Sequence, residues 1–596
     1  MRKATLSREP WAPRFVVAIM LALLCACGTD PPEEAGPDVP DVTEVPATTQ
    51  SYIPMTPEAA LSRATMALTG LRPTPDELEA VRQDPERLTE IVATYVERPE
   101  FGETIKDMYA EILLIRSTNL VLPNLGPLAG RSRSSIQDAL SEEPLNLIRE
   151  VAMSDAPFTE IVTADWTMLD ALGAEIWDGH DYDDAEGGLQ RVTFTDGRPS
   201  GGVLSTGPFL VRHESNGANY HRGRASVLSD MFLCEPFGGR DIPITGDVDL
   251  SDDAAVANAL NENPQCVACH QVVDPLAQHF WPFRPRLPSN QIVRGYDDGC
   301  TGNSPCYPVP MFFDLSTLDD GEPLMPWENL GLRAPNYWGA DTESLTDVGL
   351  EMAEDPRFAR CAVEQFAAYL AQTSRGLLDP EFVGRHHLNF VASGYSAKAL
   401  AQALVLDDWF LASAKHDTAT ASTPEVSGTQ VVRPEQFERF IEALTGFRLV
   451  YGVPQQNIGE VRTLKSDLFG FRAMAGGIDG NTVTEPVHTA TPVKLLVLAG
   501  YAEEAAGFVV DADFTLDAAE RRLLTLVEEA DSGEPEVRVQ LAELHAWIFG
   551  HIVPTDDASI TDLYELWSAV AIASSPAEGW KAVLTAMFQA PDAMFY

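Results

Sequence analysis

The pentapeptide Cys266-Val267-Ala268-Cys269-His270 constrains this chain more than any other feature of its sequence. The pattern C-x-x-C-H is the covalent attachment signature of a c-type haem. Two thiols at that spacing add to the two vinyl groups of haem, and the histidine that follows places an imidazole nitrogen on the iron. The sequence therefore predicts one covalently bound haem c, attached through Cys266 and Cys269, with His270 as an iron ligand.

Two other uses of a Cys-x-x-Cys pair fit this segment less well. A structural zinc site needs two further Cys or His ligands at short, paired spacing, whereas the next cysteines, Cys300 and Cys306, have five residues between them. A thioredoxin-like dithiol follows a buried parallel strand, but residues 251–265 are polar and rich in Asp and Asn. Haem attachment is the interpretation that the segment supports best.

The N-terminus is typical of a bacterial lipoprotein. A basic start is followed by an apolar run over 15–24 that is too short to span a bilayer permanently. The run ends in Leu24-Cys25-Ala26-Cys27, which resembles a lipobox, so we expect a signal peptide over 1–27 and lipidation of Cys27; an ordinary secretory peptide is the alternative. Gly28 favours the outer membrane. Export agrees with the haem motif, because c-type haem is attached outside the cytoplasm.

Composition divides the rest of the chain into domains. Residues 28–54 are rich in Pro, Asp, Glu and Thr, and they predict a flexible tether because they carry too little apolar surface to fold. Residues 415–432 are small and polar and predict a linker. The remainder is predicted to form three parts: an N-terminal helical domain (55–200), a cytochrome c haem-binding domain (201–414) and a C-terminal helical domain (433–596).

The fold class is predicted to be mainly α, with a c-type cytochrome-like haem segment embedded between helical domains. Helical periodicity is clearest over three segments: 78–95, 358–370 and 520–548. The best strand candidate is 189–194. Three similar junctions, each with a glycine, predict helix ends in a repeated helical scaffold: Gly70, Gly446 and Gly550.

The chain is strongly acidic, with a formal net charge of −48 at pH 7. Such a charge repels nucleic acid and anionic lipid head groups, so we expect no nucleic-acid partner. Basic proteins and neutral surfaces remain as docking partners, and a solvated acidic surface with no steering role is the alternative. No apolar run after the leader reaches membrane-spanning length, so the mature chain is expected to be soluble apart from its lipid.

Four further cysteines lie outside the leader and the haem motif. In an oxidising compartment they allow three pairings. Cys300 and Cys306 bracket a turn-rich loop that closes easily, which would leave Cys234 to pair with Cys361 across the haem segment. We expect this connectivity, although the sequence leaves the other two pairings open.

Several motifs around the haem segment share one family resemblance. They are Gly201-Gly-Val-Leu-Ser-Thr-Gly207, Arg222-Gly-Arg-Ala-Ser-Val-Leu228, Cys234-Glu-Pro236, the run from Cys266 to Leu276, Asp355-Pro-Arg-Phe-Ala-Arg-Cys361, the region from Arg433 to Gly480, and Ala590 to Tyr596. Together they resemble the planctomycete-type cytochrome c family of large, secreted, haem-attaching proteins. The resemblance implies a haem domain accompanied by helical domains of largely unknown function. One departure is Ala277-Gln278-His279-Phe280, which replaces the Gly-Phe pair expected after Asp-Pro-Leu.

The second axial ligand of the iron is predicted from loops downstream of the motif. Met325 is the first choice, because it lies in an irregular, proline-flanked loop that is suited to returning a thioether to the haem. Met311 is the next candidate. The imidazole candidates are His279, His213 and His221, and an open or water-filled position is the remaining alternative.

The surroundings of the haem are predicted in the same way. The carbonyls of Pro275 and Pro282 are candidates for orienting the His270 ring, with ordinary loop chemistry as the alternative. Two arginines are candidates for pairing with the haem propionates, namely Arg284 and Arg286. Two aromatic residues are candidates for walls of the haem pocket or for plain core, namely Trp281 and Phe283.

These features lead to an expected function. We expect a lipid-anchored, extracytoplasmic monohaem cytochrome that exchanges single electrons with a redox partner protein, with its anchor in a lipid bilayer. A cell-surface binding or scaffold lipoprotein with an auxiliary haem is the first alternative, because most of the chain carries no redox motif. A haem enzyme with an open iron position is the second.

Overall fold

The structure is a computed structural model that describes residues 51–116, 122, 126–215, 221–238, 248–249, 252–285, 307–313, 333–417, 419, 423–466 and 468–596. It is mainly helical, as the sequence predicted. Numbered over the described residues, the α-helices are α1 (Pro57–Thr69), α2 (Pro75–Gln83), α3 (Arg87–Tyr95), α4 (Pro99–Leu113), α5 (Arg133–Met153), α6 (Glu160–Thr163), α7 (Ala171–Trp177), α8 (Gly207–Arg212), α9 (Arg222–Leu233), α10 (Asp253–Glu262), α11 (Pro264–Gln278), α12 (Leu345–Glu354), α13 (Pro356–Leu370), α14 (Pro380–Ala392), α15 (Ala397–Val405), α16 (Pro434–Thr445), α17 (Phe471–Met474), α18 (Pro492–Asp513), α19 (Glu534–Phe549), α20 (Ala558–Ala573), α21 (Pro576–Gln589) and α22 (Pro591–Met594).

The strands are short and form small antiparallel sheets. They are β1 (Tyr52–Pro54), β2 (Thr167–Leu169), β3 (Gly179–His180), β4 (Gln190–Phe194), β5 (Asn336–Tyr337), β6 (Ala340–Asp341), β7 (Ala412–Lys415), β8 (Val450–Val453) and β9 (Ile458–Arg462). Strand β1 pairs with β7, β4 lies between β2 and β3, β5 pairs with β6, and β8 pairs with β9. The predicted strand over 189–194 is confirmed as β4.

Helix ends follow local sequence signals. Gly70, Gly446 and Gly550 each end a helix in the left-handed conformation, with φ of 69°, 74° and 70°. Glycine has no Cβ and adopts this conformation without a steric penalty, so the prediction for these three junctions is confirmed. After the first junction, Thr74 and Glu77 form a reciprocal capping box that starts α2.

Two of the three predicted helical segments differ from the structure in detail. The segment 358–370 is confirmed inside α13, whereas 78–95 is divided between α2 and α3. The helical prediction for 520–548 is wrong over its first half, since α19 begins only at Glu534. There the carboxylate of Asp513 accepts hydrogen bonds from the backbone N–H groups of residues 522–524. These hydrogen bonds hold the chain in an irregular path instead of a helix.

The described residues belong to one compact unit that contains two hydrophobic cores. The first core draws its residues from 61–410 and includes Val273, Leu276 and Ala277 of α11. The second draws on 432–594, with Met66 added from α1. Part of the predicted linker is paired: Gln430 and Tyr596 exchange backbone hydrogen bonds of 2.9 and 3.0 Å. The predicted domain boundaries stay predictions.

The disulfide between Cys234 and Cys361 is confirmed. It joins the residue that ends α9 to the middle of α13. Cys300 and Cys306 lie outside the described residues. Among the helices that the structure describes, none has the length and apolar character needed to cross a membrane.

Candidate haem-attachment site

The motif lies on one face of α11. Asn263 caps this helix by accepting the N–H of Gln265, and Pro264 occupies its first position. Cys266, Cys269 and His270 follow at spacings of three and four residues, so their side chains project from the same face. Both thiols are free and half-buried. Helical folding thus presents the three groups together.

The same face continues into the hydrophobic core. Val273 and Ala277, which extend the helical stripe of Cys266 and His270, are 6% and 0% exposed. Helix α11 packs against both α9 and α10. The motif therefore stands at the edge of the core, where a large apolar ring attached to it would be covered on one side by protein.

The imidazole of His270 is held by a buried carboxylate. Its Nδ1 lies 2.9 Å from Oδ1 of Asp274, four residues later on the helix, and Asp274 is 2% exposed. From the start of α9, Arg222 donates from Nε to Oδ1 at 2.6 Å and from Nη2 to Oδ2 at 3.1 Å. An ionised carboxylate only accepts hydrogen bonds, so Nδ1 carries the proton and Nε2 is left for a ligand.

The charge state of Asp274 follows from these contacts. Burial by itself raises the pKa of Asp274, but the hydrogen bonds from His270 and Arg222, together with the positive charge of Arg222, lower it below its ordinary value. The group is therefore a carboxylate at neutral pH.

The prediction that a proline carbonyl orients His270 is wrong, because Asp274 has this role. Pro275 lies inside α11, next to Asp274, and the carbonyl of Pro282 accepts the backbone N–H of Phe313 at 2.9 Å. A signal for the correct residue is present in the sequence: His270 and Asp274 stand four residues apart, which places them side by side on a helix.

Two methionines are candidates for the second axial ligand, and the structure describes one of them. Met325 lies outside the described residues. Met311 is 1% exposed and belongs to the first hydrophobic core, and its carbonyl accepts the backbone N–H of Arg284 at 2.8 Å. Met311 is thus packed as a core side chain beside the end of α11. Both remain predictions.

His279 already uses both ring nitrogens. Its Nδ1 lies 3.1 Å from the carbonyl of Leu276, and its Nε2 lies 2.8 Å from Oγ1 of Thr342. Burial lowers the pKa of this histidine, although its hydrogen bonds oppose the change. These contacts favour a structural role for His279.

The other two histidine candidates also have protein partners. Nε2 of His213 lies 3.0 Å from the carbonyl of Leu113, and burial lowers the pKa of His213 to about 3. Nδ1 of His221 lies 3.2 Å from Nη1 of Arg224, and burial lowers the pKa of His221. Both imidazoles are therefore neutral at ordinary pH.

Three other residues predicted around the haem are parts of the core. Nε of Arg284 donates to the carbonyl of Pro310 at 2.7 Å. Trp281 is 8% exposed, and Phe283 is fully buried with its ring 5.5 Å from that of Phe312. Arg286 and Cys27 lie outside the described residues.

The arginines at the start of α9 have roles that sequence reasoning did not assign. Besides the contact of Arg222 with Asp274, the fully buried Arg224 donates to the carbonyls of Leu210, His213 and Arg284 at 2.7, 2.9 and 2.7 Å. Arg224 therefore ties α8 and α9 to the segment after α11. The Arg-Gly-Arg sequence gives no signal for these roles, because the partners Asp274 and Arg284 are distant from it in the chain.

Within the described part of the chain, no group of three or more His, Cys, Asp and Glu side chains is arranged to hold a metal ion. No protein-family model, no curated protein and no solved structure matches this chain.

Proposed function

We propose that this protein is a lipid-anchored, extracytoplasmic monohaem c-type cytochrome that transfers electrons. One observation carries the proposal. The two free, half-buried thiols of Cys266 and Cys269 share a helix face with His270, whose Nδ1 is already engaged by Asp274. Such a donor set fits a covalently attached haem, because the thiols serve attachment and a single imidazole nitrogen serves the iron.

The roles of the residues follow from this arrangement. Cys266 and Cys269 would each add a thiol across one vinyl double bond, forming a carbon–sulfur bond and passing the thiol hydrogen to the vinyl group. Nε2 of His270 would bind the iron. The bound haem supplies one-electron redox chemistry. The protein orients the imidazole through Asp274 and limits the access of water through the core around Val273.

The location and partners are part of the same proposal. The leader ending at Cys27 supports export and lipidation, with the outer membrane as the destination and the bilayer as the anchor. The charge of −48 supports a redox partner protein with a basic docking face, brought in by electrostatic attraction.

A second candidate function rests on the C-terminal region. Residues 432–594 supply nearly all of the second hydrophobic core and contain no further C-x-x-C-H motif. So large a region without a redox motif supports a surface binding or scaffold lipoprotein in which the haem is auxiliary.

The decisive experiment measures covalent haem. The full chain would be produced in a periplasm with cytochrome c maturation machinery and examined by haem staining and pyridine haemochrome spectra. The C266S/C269S variant should lose covalent haem, whereas C234S/C361S, which replaces the two cysteines of the disulfide, should retain it. Wild-type protein without covalent haem would overturn the cytochrome proposal and favour the scaffold.

Two further variants test the rest of the proposal. Cys27→Ser should release the protein from the membrane fraction and abolish labelling by a radioactive fatty acid. Met325→Ala should convert a low-spin spectrum to a high-spin one if Met325 is the second ligand, with Met311→Ala as the comparison. A high-spin spectrum in the wild type would favour an enzyme with an open iron position.

A further inference from the structure

We infer that Asp274 and Arg222 form a positioning pair that sets the reduction potential of the haem through His270, with the two residues acting in opposite directions. The inference rests on the proposed function, since it concerns the histidine assigned to the iron.

The carboxylate of Asp274 acts directly on the imidazole of His270. Oδ1 of Asp274 lies 2.9 Å from Nδ1 of His270, and Asp274 is 2% exposed, so water does not screen this hydrogen bond. A carboxylate that accepts the Nδ1 proton pushes electron density toward Nε2, which makes the imidazole a stronger donor. A stronger donor stabilises ferric iron relative to ferrous iron. Asp274 is therefore expected to lower the reduction potential.

Arg222 acts on the same carboxylate in the opposite direction. Its guanidinium binds both oxygens of the same carboxylate, at 2.6 and 3.1 Å, and its side chain is 21% exposed. This bidentate contact draws charge from Asp274 and weakens the pull of the carboxylate on Nδ1–H. Arg222 is therefore expected to raise the potential relative to a carboxylate that binds His270 alone. It also fixes the carboxylate, and through it the plane of the ring.

The geometry links this tuning to the fold. Asp274 shares α11 with His270, whereas Arg222 is the first residue of α9. The disulfide at Cys234 fastens the other end of α9 to α13. The position of Arg222 relative to His270 therefore depends on how α9 packs against α11.

The test measures reduction potentials of the holoprotein and of three variants with attached haem: Asp274→Asn, Arg222→Gln and the double variant. Asparagine keeps an acceptor oxygen and removes the charge, so Asp274→Asn should raise the potential. Arg222→Gln should lower it. In the double variant, the effect of Arg222→Gln should shrink, because the carboxylate through which it acts is gone. Arg375→Gln, which removes a half-exposed arginine paired with Asp230, serves as the matched control.

A merely structural role gives a different pattern. Loosened packing would shift the potential in the same direction in both single variants, and that result would overturn the inference, as would unchanged potentials. Resonance Raman spectra of five-coordinate ferrous haem, generated by photolysis of a carbon monoxide adduct, provide a second measurement, in which the iron–histidine stretch should fall in Asp274→Asn and rise in Arg222→Gln. A through-space charge effect would leave this stretch unmoved and would also contradict the inference.

The apoprotein gives a reading that needs no haem. Nitrogen-15 NMR of the His270 ring, assigned with His270→Gln, should show the proton on Nδ1 in the wild type and a shift toward the other tautomer in Asp274→Asn. An unchanged tautomer would overturn the inference. Wild-type protein without covalent haem instead defeats the proposed function, so the two failures are distinguishable.

Discussion

Cys234 and Cys361 are joined by a disulfide that brings their Cα atoms to 5.3 Å although 127 residues separate them in the chain. Cys234 ends α9, the helix whose first residue, Arg222, binds Asp274. The segment between the two cysteines contains the haem motif. The disulfide therefore closes a long loop around the candidate site and fastens the helix that supports His270.

Removal of this disulfide should destabilise the protein. A bond that closes a loop of this length restricts the unfolded chain, and its loss typically costs about 2–5 kcal/mol. We expect C234S/C361S to unfold at a lower temperature than the wild type in a thermal melt followed by circular dichroism. Reducing agent should lower the melting temperature of the wild type by more than that of the variant, which keeps only the predicted Cys300–Cys306 pair. Equal melting temperatures without reductant would contradict the prediction.

Arg224→Met should be strongly destabilising. The variant keeps much of the side-chain volume but leaves the buried carbonyls of Leu210, His213 and Arg284 without this donor. The loss of a donor to a buried acceptor costs about 1–3 kcal/mol in each case, and we expect a total of about 3–5 kcal/mol in urea unfolding. The exposed Arg82→Met, which breaks only a surface pair with Glu79, should change stability by about 0.5 kcal/mol or less. Similar losses for both variants would refute the assignment.

Two glycine-to-alanine substitutions should have opposite effects. A Cβ on Gly349 in α12 would lie 2.2 Å from the carbonyl oxygen of Val162, a backbone atom that cannot move aside. We expect Gly349→Ala to cost about 1–3 kcal/mol because of this overpacking. Gly500, in α18, has open space at the same position, so Gly500→Ala should stabilise the protein by about 0.5–1 kcal/mol through helix propensity. Melting temperatures that move in the same direction would disprove the packing argument.

Glu143 should make the protein less stable as the pH rises. Burial raises the pKa of Glu143 from 4.5 to about 7, although Arg198 and a hydrogen bond from Thr167 oppose the change. Between these values the unfolded chain ionises while Glu143 in the folded protein keeps its proton, so the contribution of Glu143 to stability is complete below pH 4.5 and is lost as the pH rises through 7. Because one pKa unit corresponds to about 1.4 kcal/mol, the loss approaches about 3 kcal/mol.

The Glu143→Gln variant tests this dependence. It keeps an acceptor for Thr167 and removes the ionisation, so it should lose less stability than the wild type between pH 5 and pH 8 in urea titrations. Its advantage should be largest at pH 8. Parallel curves for the two proteins would show that Glu143 does not contribute.

Local signals in the sequence were sufficient for much of the architecture. The glycines that end helices, the capping box of α2 and strand β4 depend on interactions within a few residues. The common face of Cys266, Cys269 and His270 follows from helix geometry once the segment is helical. The disulfide between Cys234 and Cys361 was also predicted, because Cys300 and Cys306 bracket a turn-rich loop that would pair them with each other.

Longer-range contacts overruled sequence patterns elsewhere. The start of 520–548 is rich in alanine, leucine and glutamate, a composition typical of helices. Its backbone N–H groups nevertheless donate hydrogen bonds to Asp513 of the preceding helix. His279, His213 and Met311 suit an iron in sequence, but their environments in the fold are those of hydrogen-bonded or core residues.

The mainly helical fold was predictable from the sequence, since helical period and capping are short-range effects. The common face of the two thiols and the imidazole became evident once the structure showed that their segment is helical. The contact that holds the carboxylate of Asp274 beside the imidazole is a tertiary one. Arg222 reaches Asp274 because α9 packs on α11, and that packing depends on burial of apolar surface contributed by many distant residues. The spacing of residues along the chain therefore does not predict the contact between Arg222 and Asp274.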